Sequence, residues 1–350
     1  MFHIDKDIHK AKTLPSKFYK EDRFFDLSRE NIFNQSWQFI CSKSDLLGLT
    51  NYPFLHLDGL LNENLLITNN NTELKCISNV CTHRGHIVSD CSENSRFLQC
   101  KYHGRKFELN GTFKSMPKFT ELKNFPTQDD NLKEIPLSEW NDFLFVALDP
   151  QYKISKRLAQ IDSLIPKFPY GKLSKAMNKE YLIDCHWSIY CDNYLEGLHI
   201  PYVHKGLNAD IDYNTYQTNI LDGIVMQTAE SNNPSRSILY DNKEGVYAYY
   251  FFVFPNIMLN YYNWGISVNI IEPITKLKTR IKYRTYLIDG EEIPLNSSSS
   301  VEQVESEDQS VVLNVQKGVN SRYYKPGRFS PSMEKGVHYF HRFISENILK

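Results

Sequence analysis

At 350 residues, the chain is longer than one ordinary hydrophobic core supports, so we expect two domains. Its 40 Lys and Arg residues balance 41 Asp and Glu residues, and the net charge of -1 gives no electrostatic reason to expect nucleic acid or an acidic membrane as a partner. No apolar run has the length of a signal peptide or a membrane span, so we predict a cytoplasmic protein whose seven cysteines are thiols or metal ligands rather than disulfides.

The tract from Trp37 to Pro150 consists of short apolar runs separated by turn residues. Runs of this kind at near-regular intervals predict an all-β module. Asn110 and Gly111 stand between two of the runs, and both residue types tolerate a positive φ, so we predict a hairpin turn there.

Two predicted turns of this module carry Cys/His pairs: Cys81 with His83, and Cys100 with His103. Two such pairs on neighbouring loops can close on one metal centre. Zinc in a Cys₂His₂ site and a [2Fe–2S] cluster with two Cys on one iron and two His on the other need the same four ligands, so ligand count alone leaves both open. Cys91 lies between the pairs, and we predict that it is a small buried apolar residue.

A predicted helix at residues 192–204, DNYLEGLHIPYVH, carries a second candidate metal site. Glu196 and His199 are three residues apart and would share one helical face. His204 would lie about 140° around a straight helix, so a common metal requires a bend. Pro201 would supply the bend, because it has no N–H and clashes with the carbonyl of Gly197.

Strands and one more helix are predicted after this segment. The clearest strands are YAYYFFVF, NIMLNYY, ISVNIIEPI and TRIKYRTYLI, followed by a flexible loop at 294–300. The helix is predicted to begin with Ser306 as the N-cap and Gln309 in a capping box. Asp308 would share a buried face with valines, where a cation would neutralise it, whereas Glu307 would lie on a more polar stripe.

The flanks of the Cys/His pairs, CTHRGH and CKYHGRKFELNGTF, resemble the cluster-binding loops of the Rieske family. By this resemblance, Cys81 and Cys100 bind one iron of a [2Fe–2S] cluster, and His83 and His103 bind the other. Imidazole ligands would raise its potential to roughly -150 to +300 mV. Many family members have Trp at the position of Arg105. We also predict that Lys101, Arg105, Lys106, Lys114 and Lys118 form a basic surface for a ferredoxin or reductase.

With DNYLEGLHIPYVH and EDQSVVLNVQKGVNS, the whole chain resembles the oxygenase α subunit of Rieske non-haem iron oxygenases. The resemblance implies that His199, His204 and Asp308 bind one Fe²⁺ as a two-His-one-carboxylate triad. It implies that Asn193 lies close to this iron, and that Glu196 bridges His103 of one subunit to His199 of the next in a homotrimer or a dimer of trimers.

The fold implied is α+β: an all-β Rieske domain joined to a helix-grip catalytic domain, in which a curved antiparallel sheet holds a long helix. We assign residues 1–36 to a segment packing on the catalytic domain, 37–150 to the Rieske domain and 151–350 to the catalytic mononuclear iron domain.

The resemblance also implies an enzyme that uses O₂ and electrons from an NAD(P)H-dependent reductase or a ferredoxin. The sequence is most similar to the branch acting on quaternary ammonium compounds such as choline, carnitine and glycine betaine, which are hydroxylated at a carbon next to nitrogen. Aromatic rings attract such cations, and the candidate residues are Tyr190, Tyr194, Tyr202 and Trp264.

Two other functions stay open at this point. One is hydroxylation or demethylation of an aromatic acid, which the same iron chemistry would perform. The other belongs to a different class: a Rieske electron carrier or a zinc-binding module without catalysis, in which His199, His204 and Asp308 would be incidental.

Overall fold

The structure, a computed structural model, describes residues 1–70, 72–241, 243, 245–293 and 301–349. The chain forms two compact units, one of Trp37–Gln151 and the other of Met1–Ser36 together with Tyr152–Lys350. In these ranges, none of the helices combines the length and the apolar character needed to span a bilayer. The loop predicted at 294–300 lies outside the described residues.

The unit Trp37–Gln151 is built from short antiparallel strands, as predicted. In chain order they are β1 (Gln38–Ser42), β2 (Asn51–His56), β3 (Glu63–Asn69), β4 (Leu74–Ser78), β5 (Leu98–Gln99), β6 (Lys106–Phe107), β7 (Phe113–Ser115), β8 (Glu134–Ile135), β9 (Leu137–Trp140) and β10 (Phe143–Val146). They form three sheets with the orders β2-β3-β4-β8, β1-β10-β9 and β5-β6-β7. The turn between β6 and β7 contains Gly111 at a φ of 87°, in agreement with the predicted hairpin.

The larger unit contains one seven-stranded antiparallel sheet. Its strands are β11 (Leu173–Ile183), β12 (Ile211–Leu221), β13 (Ile224–Ser231), β14 (Val246–Val253), β15 (Ile257–Tyr262), β16 (Gly265–Thr275) and β17 (Lys278–Ile288). Their spatial order is β11-β17-β16-β15-β14-β13-β12, so the two strands that are consecutive in sequence, β11 and β12, lie at opposite edges. The four predicted runs correspond to β14, β15, β16 and β17, which confirms the large antiparallel sheet of the predicted α+β fold.

The larger unit also contains helices. They are α1 (Ser16–Lys20), α2 (Asp22–Ser28), α3 (Ile154–Leu164), α4 (Trp187–Tyr194), α5 (Ile200–Val203), α6 (Lys205–Asp210), α7 (Val301–Val319) and α8 (Lys335–Ile348), with a π-helical turn at Arg29–Phe33. In α8, Phe340 is fully buried and its ring lies edge-on to Trp187 of α4, with 5.6 Å between the ring centroids. Aromatic pairs of this geometry stabilise a core beyond the area that they bury.

The helix predicted at 192–204 is interrupted, but not at the predicted residue. α4 ends at Tyr194, and α5 begins again at Ile200 with Pro201 in its first turn, where a missing N–H is tolerated. The interruption includes Gly197, where an added Cβ would lie 2.4 Å from the ring of Tyr216. A side chain at residue 197 would collide with this ring, so this point of the break requires glycine, and Pro201 lies beyond the break, inside α5.

α7 begins at Val301, so the prediction that Ser306 caps its N-terminus is wrong. The capping box motif is present in the sequence, but five more residues before Ser306 continue the helix. Of the valines predicted on the buried face with Asp308, Val312 and Val319 are buried, whereas Val315 is 42% exposed. The buried Gln316 accepts a hydrogen bond of 2.7 Å from the backbone N–H of His186. α7 is therefore fixed along its second half by both apolar and polar contacts.

Arg105 is buried, contrary to the prediction that it belongs to a basic surface. Only 2% of its side chain is exposed, and its guanidinium lies 4.7 Å from the ring centroid of Phe113. Nη2 donates to the Oδ1 of Asp130 at 2.7 Å and to the Asp130 carbonyl at 3.1 Å. The hydroxyl of Thr82 donates to the same carbonyl at 2.8 Å. Asp130 thus joins the two loops that carry the Cys/His pairs, because Thr82 belongs to one and Arg105 to the other.

We predict that Asp130→Asn destabilises the Trp37–Gln151 unit. Asn removes the charge opposite a buried guanidinium, and a hydrogen bond to a charged group contributes about 1.5 to 3 kcal/mol to the free energy of unfolding. Urea unfolding, followed by the fluorescence of Trp140 and Trp37 of this unit, measures the change.

Asp90→Asn is the matched control, because Asp90 accepts from Lys101 at 2.8 Å while both side chains are exposed. Exposed ion pairs contribute little. We expect no measurable change for the control, and equal midpoints for both variants would contradict the role assigned to Asp130.

Candidate functional site

The two loops with the Cys/His pairs have the same backbone hydrogen bonds. In each loop the cysteine, Cys81 or Cys100, donates its N–H to a carbonyl five residues further on, at 2.8 Å. Each cysteine carbonyl accepts from a glycine N–H at 3.0 Å, and these glycines, Gly85 and Gly104, have φ values of 70° and 72°. Glycine adopts this left-handed conformation without steric penalty. The sequence thus places two equivalent loops at one end of the β unit.

The side chains of these loops form two pairs, one of the two cysteines and one of the two histidines. The thiols of Cys81 and Cys100 are buried, and burial together with the neighbouring Cys100 raises the pKa of Cys81. The half-buried imidazoles of His83 and His103 have their Nδ1 atoms 3.2 Å apart. Two cysteines inside and two histidines outside suit a binuclear cluster with a different ligand pair on each metal. Cys91 is exposed, so the prediction that it is buried is wrong.

His199, His204 and Asp308 come together, although Asp308 lies more than a hundred residues further along the chain. One potential ligand atom from each lies within 4.8 Å of the others. Asp308 Oδ1 is 3.0 Å from His204 Nε2 and 3.9 Å from His199 Nε2. Burial alone would lower the pKa of His204, but the carboxylates of Asp308 and Glu307 outweigh it and raise this pKa. The site therefore attracts positive charge.

In both His199 and His204, Nε2 faces Asp308 and Nδ1 contacts a second carboxylate. Glu196 Oε1 lies 2.5 Å from His199 Nδ1, and Glu307 Oε2 lies 2.8 Å from His204 Nδ1. A histidine whose Nδ1–H donates to a carboxylate presents an unprotonated Nε2 to a metal, and this arrangement also fixes the ring orientation. The prediction for Glu307 was incomplete, because its polar helical stripe faces His204 rather than solvent alone.

Glu196 reaches His199 in a way that differs from the prediction. It lies in the interruption between α4 and α5, not on a continuous helical face. Its Oε2 accepts from the backbone N–H groups of Leu198 and His199, the latter at 3.2 Å, so the side chain also fixes the backbone just before α5. Asn193 Nδ2 donates to Asp308 Oδ1 at 2.5 Å, which places this amide beside the candidate metal site.

A cavity of about 160 Å³ opens onto the same residues. His199, His204 and Asp308 form part of its wall, and much of the remainder is aromatic. The six aromatic lining residues are Tyr194, Tyr216, Tyr247, Tyr250, Tyr262 and Trp264. The rings of Tyr262 and Trp264 are stacked with centroids 4.7 Å apart, and Tyr250 lies edge-on to Tyr262. Arg236, Asn263 and Asn269 also line the cavity and give it a polar part.

The four predicted aromatic substrate residues have different positions. Tyr194 and Trp264 line the cavity. The ring of Tyr202 is 81% exposed and does not line it, because this residue lies on the outer side of the short α5. Tyr190 is buried, and its hydroxyl donates to Glu305 at 2.6 Å. Tyr202 and Tyr190 are therefore not part of the aromatic wall that was predicted.

Glu305 is a lining residue that sequence reasoning missed. Part of its side chain is exposed to the cavity, yet the surrounding protein desolvates the carboxyl, and this burial raises its pKa to about 8. Its spacing of three residues before Asp308 on α7 was the only signal in the sequence, since residues at this spacing share a helical face.

Comparison with known families assigns both units. Residues 171–350 match the ring hydroxylating alpha subunit (catalytic domain), and residues 36–126 match the Rieske [2Fe-2S] domain. The two domains together point to a Rieske cluster and a mononuclear iron. The two cysteines and two histidines of the loops fit the cluster, and the triad of His199, His204 and Asp308 fits the mononuclear iron.

Similar proteins cover nearly the whole chain. Chloroplastic choline monooxygenase from Arabidopsis thaliana is 26% identical over 97% of this chain and 84% of its own length. The carnitine monooxygenase oxygenase subunit of Escherichia coli (strain K12) is 25% identical over 96% of this chain and 94% of its own. A solved quaternary ammonium Rieske monooxygenase has the same fold, with a TM-score of 0.82 at 22% identity over 97% of this chain and 96% of that one. The chain thus belongs to the ring hydroxylating alpha subunit family and is an oxidoreductase of the Rieske oxygenase type.

Proposed function

We propose that this chain is the oxygenase component that hydroxylates a small quaternary ammonium compound at a carbon next to nitrogen, with C–N cleavage or aldehyde formation as the result. The observation that carries the proposal is one cavity whose wall combines His199, His204 and Asp308 with six aromatic rings. The naming of choline and carnitine monooxygenases among the similar proteins supports the same substrate class.

The aromatic wall suits a trimethylammonium group. Such a group has no N–H to donate, so hydrogen bonds cannot recognise its charge, whereas ring faces attract it with about 0.5 to 2 kcal/mol each. Tyr262 and Trp264 are adjacent stacked rings in this wall. The other functional group of the substrate, a hydroxyl or carboxylate, would bind to polar lining side chains such as those of Arg236, Asn263 and Asn269. Choline, carnitine and glycine betaine all have this bipolar form.

The residues that would hold the cofactors follow from the same geometry. Cys81, His83, Cys100 and His103 would hold the [2Fe–2S] cluster, and His199, His204 and Asp308 would hold Fe²⁺. When bound, the two groups supply O₂ activation with electrons from a separate NAD(P)H-dependent reductase or a ferredoxin. The protein contributes orientation: Glu196 and Glu307 fix the two imidazoles, and Asn193 fixes one Asp308 oxygen.

Glu196 has a second role in this proposal. Only 14% of its side chain is exposed, and it lies on the side of His199 away from Asp308. A homotrimer, or a dimer of such trimers, would bring His103 of a neighbouring subunit to this carboxylate. The similar quaternary ammonium monooxygenase has been studied for inter-subunit electron transfer, which supports such an arrangement.

Substrate class is the first of three predictions that follow from the proposed function. We expect choline, L-carnitine or glycine betaine to raise the melting temperature of the iron-loaded protein and to stimulate O₂ uptake with a reductase. Benzoate and vanillate, at the same concentrations, serve as the aromatic-acid comparison. Stabilisation by the aromatic acids alone would support the aromatic-acid hydroxylase or demethylase instead.

The second prediction concerns the iron ligands. We expect Asp308→Ala to lose the mononuclear iron and keep the [2Fe–2S] cluster, since the two donor sets share no residue. Iron and sulfide analysis with EPR of the reduced protein measures both. Zinc at the Cys/His loops, or unchanged mononuclear iron in the variant, would contradict the assignment.

The third prediction distinguishes Glu196 from Glu307, each of which contacts the Nδ1 of one candidate iron-binding histidine. Glu196→Gln and Glu307→Gln should each weaken iron binding, typically by about 10 to 100-fold, because each frees one ligand imidazole. At equal iron occupancy, only Glu196→Gln should slow reoxidation of the cluster in a single turnover. Equal rates in the two variants would show that Glu196 acts on His199 alone.

A further inference from the structure

Glu305 is an acidic group in the cavity wall that the proposed iron site does not use. It lies on α7 three residues before Asp308 and lines the same cavity. Its environment disfavours an ionised carboxyl, since burial raises its pKa to about 8. An acid held in such a place needs an explanation, because a buried charge is unfavourable unless another group compensates it.

Three tyrosines fix the position of this carboxyl. The hydroxyl of Tyr190 donates to Glu305 Oε2 at 2.6 Å, and that of Tyr181 donates to the same oxygen at 2.9 Å. Tyr283 lies within 3.0 Å of both hydroxyls. Tyr190 belongs to α4, Tyr181 to β11 and Tyr283 to β17, so the carboxyl is bonded directly to two elements and linked through the hydroxyls to a third. Among the described residues, no donor contacts Oε1.

These hydrogen bonds do not by themselves require an acid. The carbonyl oxygen of a glutamine would accept from both hydroxyls equally well. A carboxyl, unlike an amide, can carry a negative charge, and it lacks the two N–H donors of the amide. The chemistry that would use this difference is a cation in the cavity, on the same side as the aromatic rings.

We propose that Glu305 is the counter-charge for the trimethylammonium group of the substrate and selects this cation over a neutral molecule of the same shape. This inference rests on the proposed function and adds a specificity-determining residue to it. A cation beside the carboxyl favours its ionised form, and the hydroxyls of Tyr181 and Tyr190 stabilise that form further. The spacing from Asp308 is about one helical turn, so the cationic end would be held near the iron ligands.

The test compares each cation with its carbon isostere. Choline and 3,3-dimethylbutan-1-ol differ only in nitrogen versus carbon, as do glycine betaine and 3,3-dimethylbutanoate. Calorimetric titration of the iron-loaded protein gives the ratio of the two dissociation constants in each pair. We expect wild type to prefer the cation, and Glu305→Gln to weaken cation binding by roughly 30-fold or more, as expected when one partner of a buried charge pair is removed. The isosteres should bind equally to both proteins.

Tyr181→Phe is the matched control for a structural role of the cluster. It removes one hydrogen bond to Glu305 but keeps the charge, so the preference for the cation should be retained. An equal loss of preference in Tyr181→Phe and Glu305→Gln would assign the effect to helix packing and overturn the proposal.

Two further outcomes distinguish this inference from the proposed function. Wild type that binds neither choline nor glycine betaine would contradict the proposed substrate class itself. Wild type that binds them as weakly as their isosteres, or a Glu305→Gln variant that keeps the wild-type ratio, would overturn only the role of Glu305. The wild-type ratio needs no variant, so the proposal can be tested even where Glu305→Gln does not fold.

Discussion

The candidate iron site depends on two hydrogen bonds, each between a carboxylate and the Nδ1 atom of one of the two histidines. Glu196 and Glu307 lie 2.5 and 2.8 Å from the Nδ1 atoms of His199 and His204. These carboxylates fix the orientation and tautomer of each ring, so that both Nε2 atoms face Asp308. The carboxylates themselves come from different elements, a short interruption before α5 and the middle of α7. The packing of α7 against α4 therefore sets the geometry of the site.

Much of the fold and of the candidate ligand set could be predicted from the sequence. The strands of both units follow from apolar runs separated by turn residues, and the Cys/His pairs follow from their spacing in two loops. These strand and loop predictions succeeded because each depends on a pattern that is local in sequence. The proximity of Asp308 to the histidines was predicted from the resemblance to Rieske oxygenases, because the helical pattern indicated only that a carboxylate on a core-facing stripe needs a neutralising cation.

The features that the sequence did not predict depend on contacts between distant residues. Arg105 reads as a surface cation, but Asp130 and Phe113 surround it in three dimensions. The break between α4 and α5 contains Gly197, against which the ring of Tyr216 from β12 packs, and Pro201 lies beyond it, inside α5. In the sequence, Glu305 is one of several acidic residues of α7. It differs from the others through its hydrogen bonds from Tyr181 and Tyr190, which only the structure shows. The periodicity of apolar residues in a sequence gives no information about such contacts between distant residues.

The seven-stranded sheet limits which parts of the chain can change in length. Its outermost strands, β11 and β12, are neighbours in sequence, so residues 184–210 must travel across the whole sheet, about 29 Å at the usual strand spacing. Hairpin loops elsewhere tolerate insertions, because their two ends stay adjacent. This crossing also contains α4, α5 and α6, so a change in its length would move His199 and His204 relative to Asp308. Related chains should therefore keep its length nearly constant while their hairpins vary.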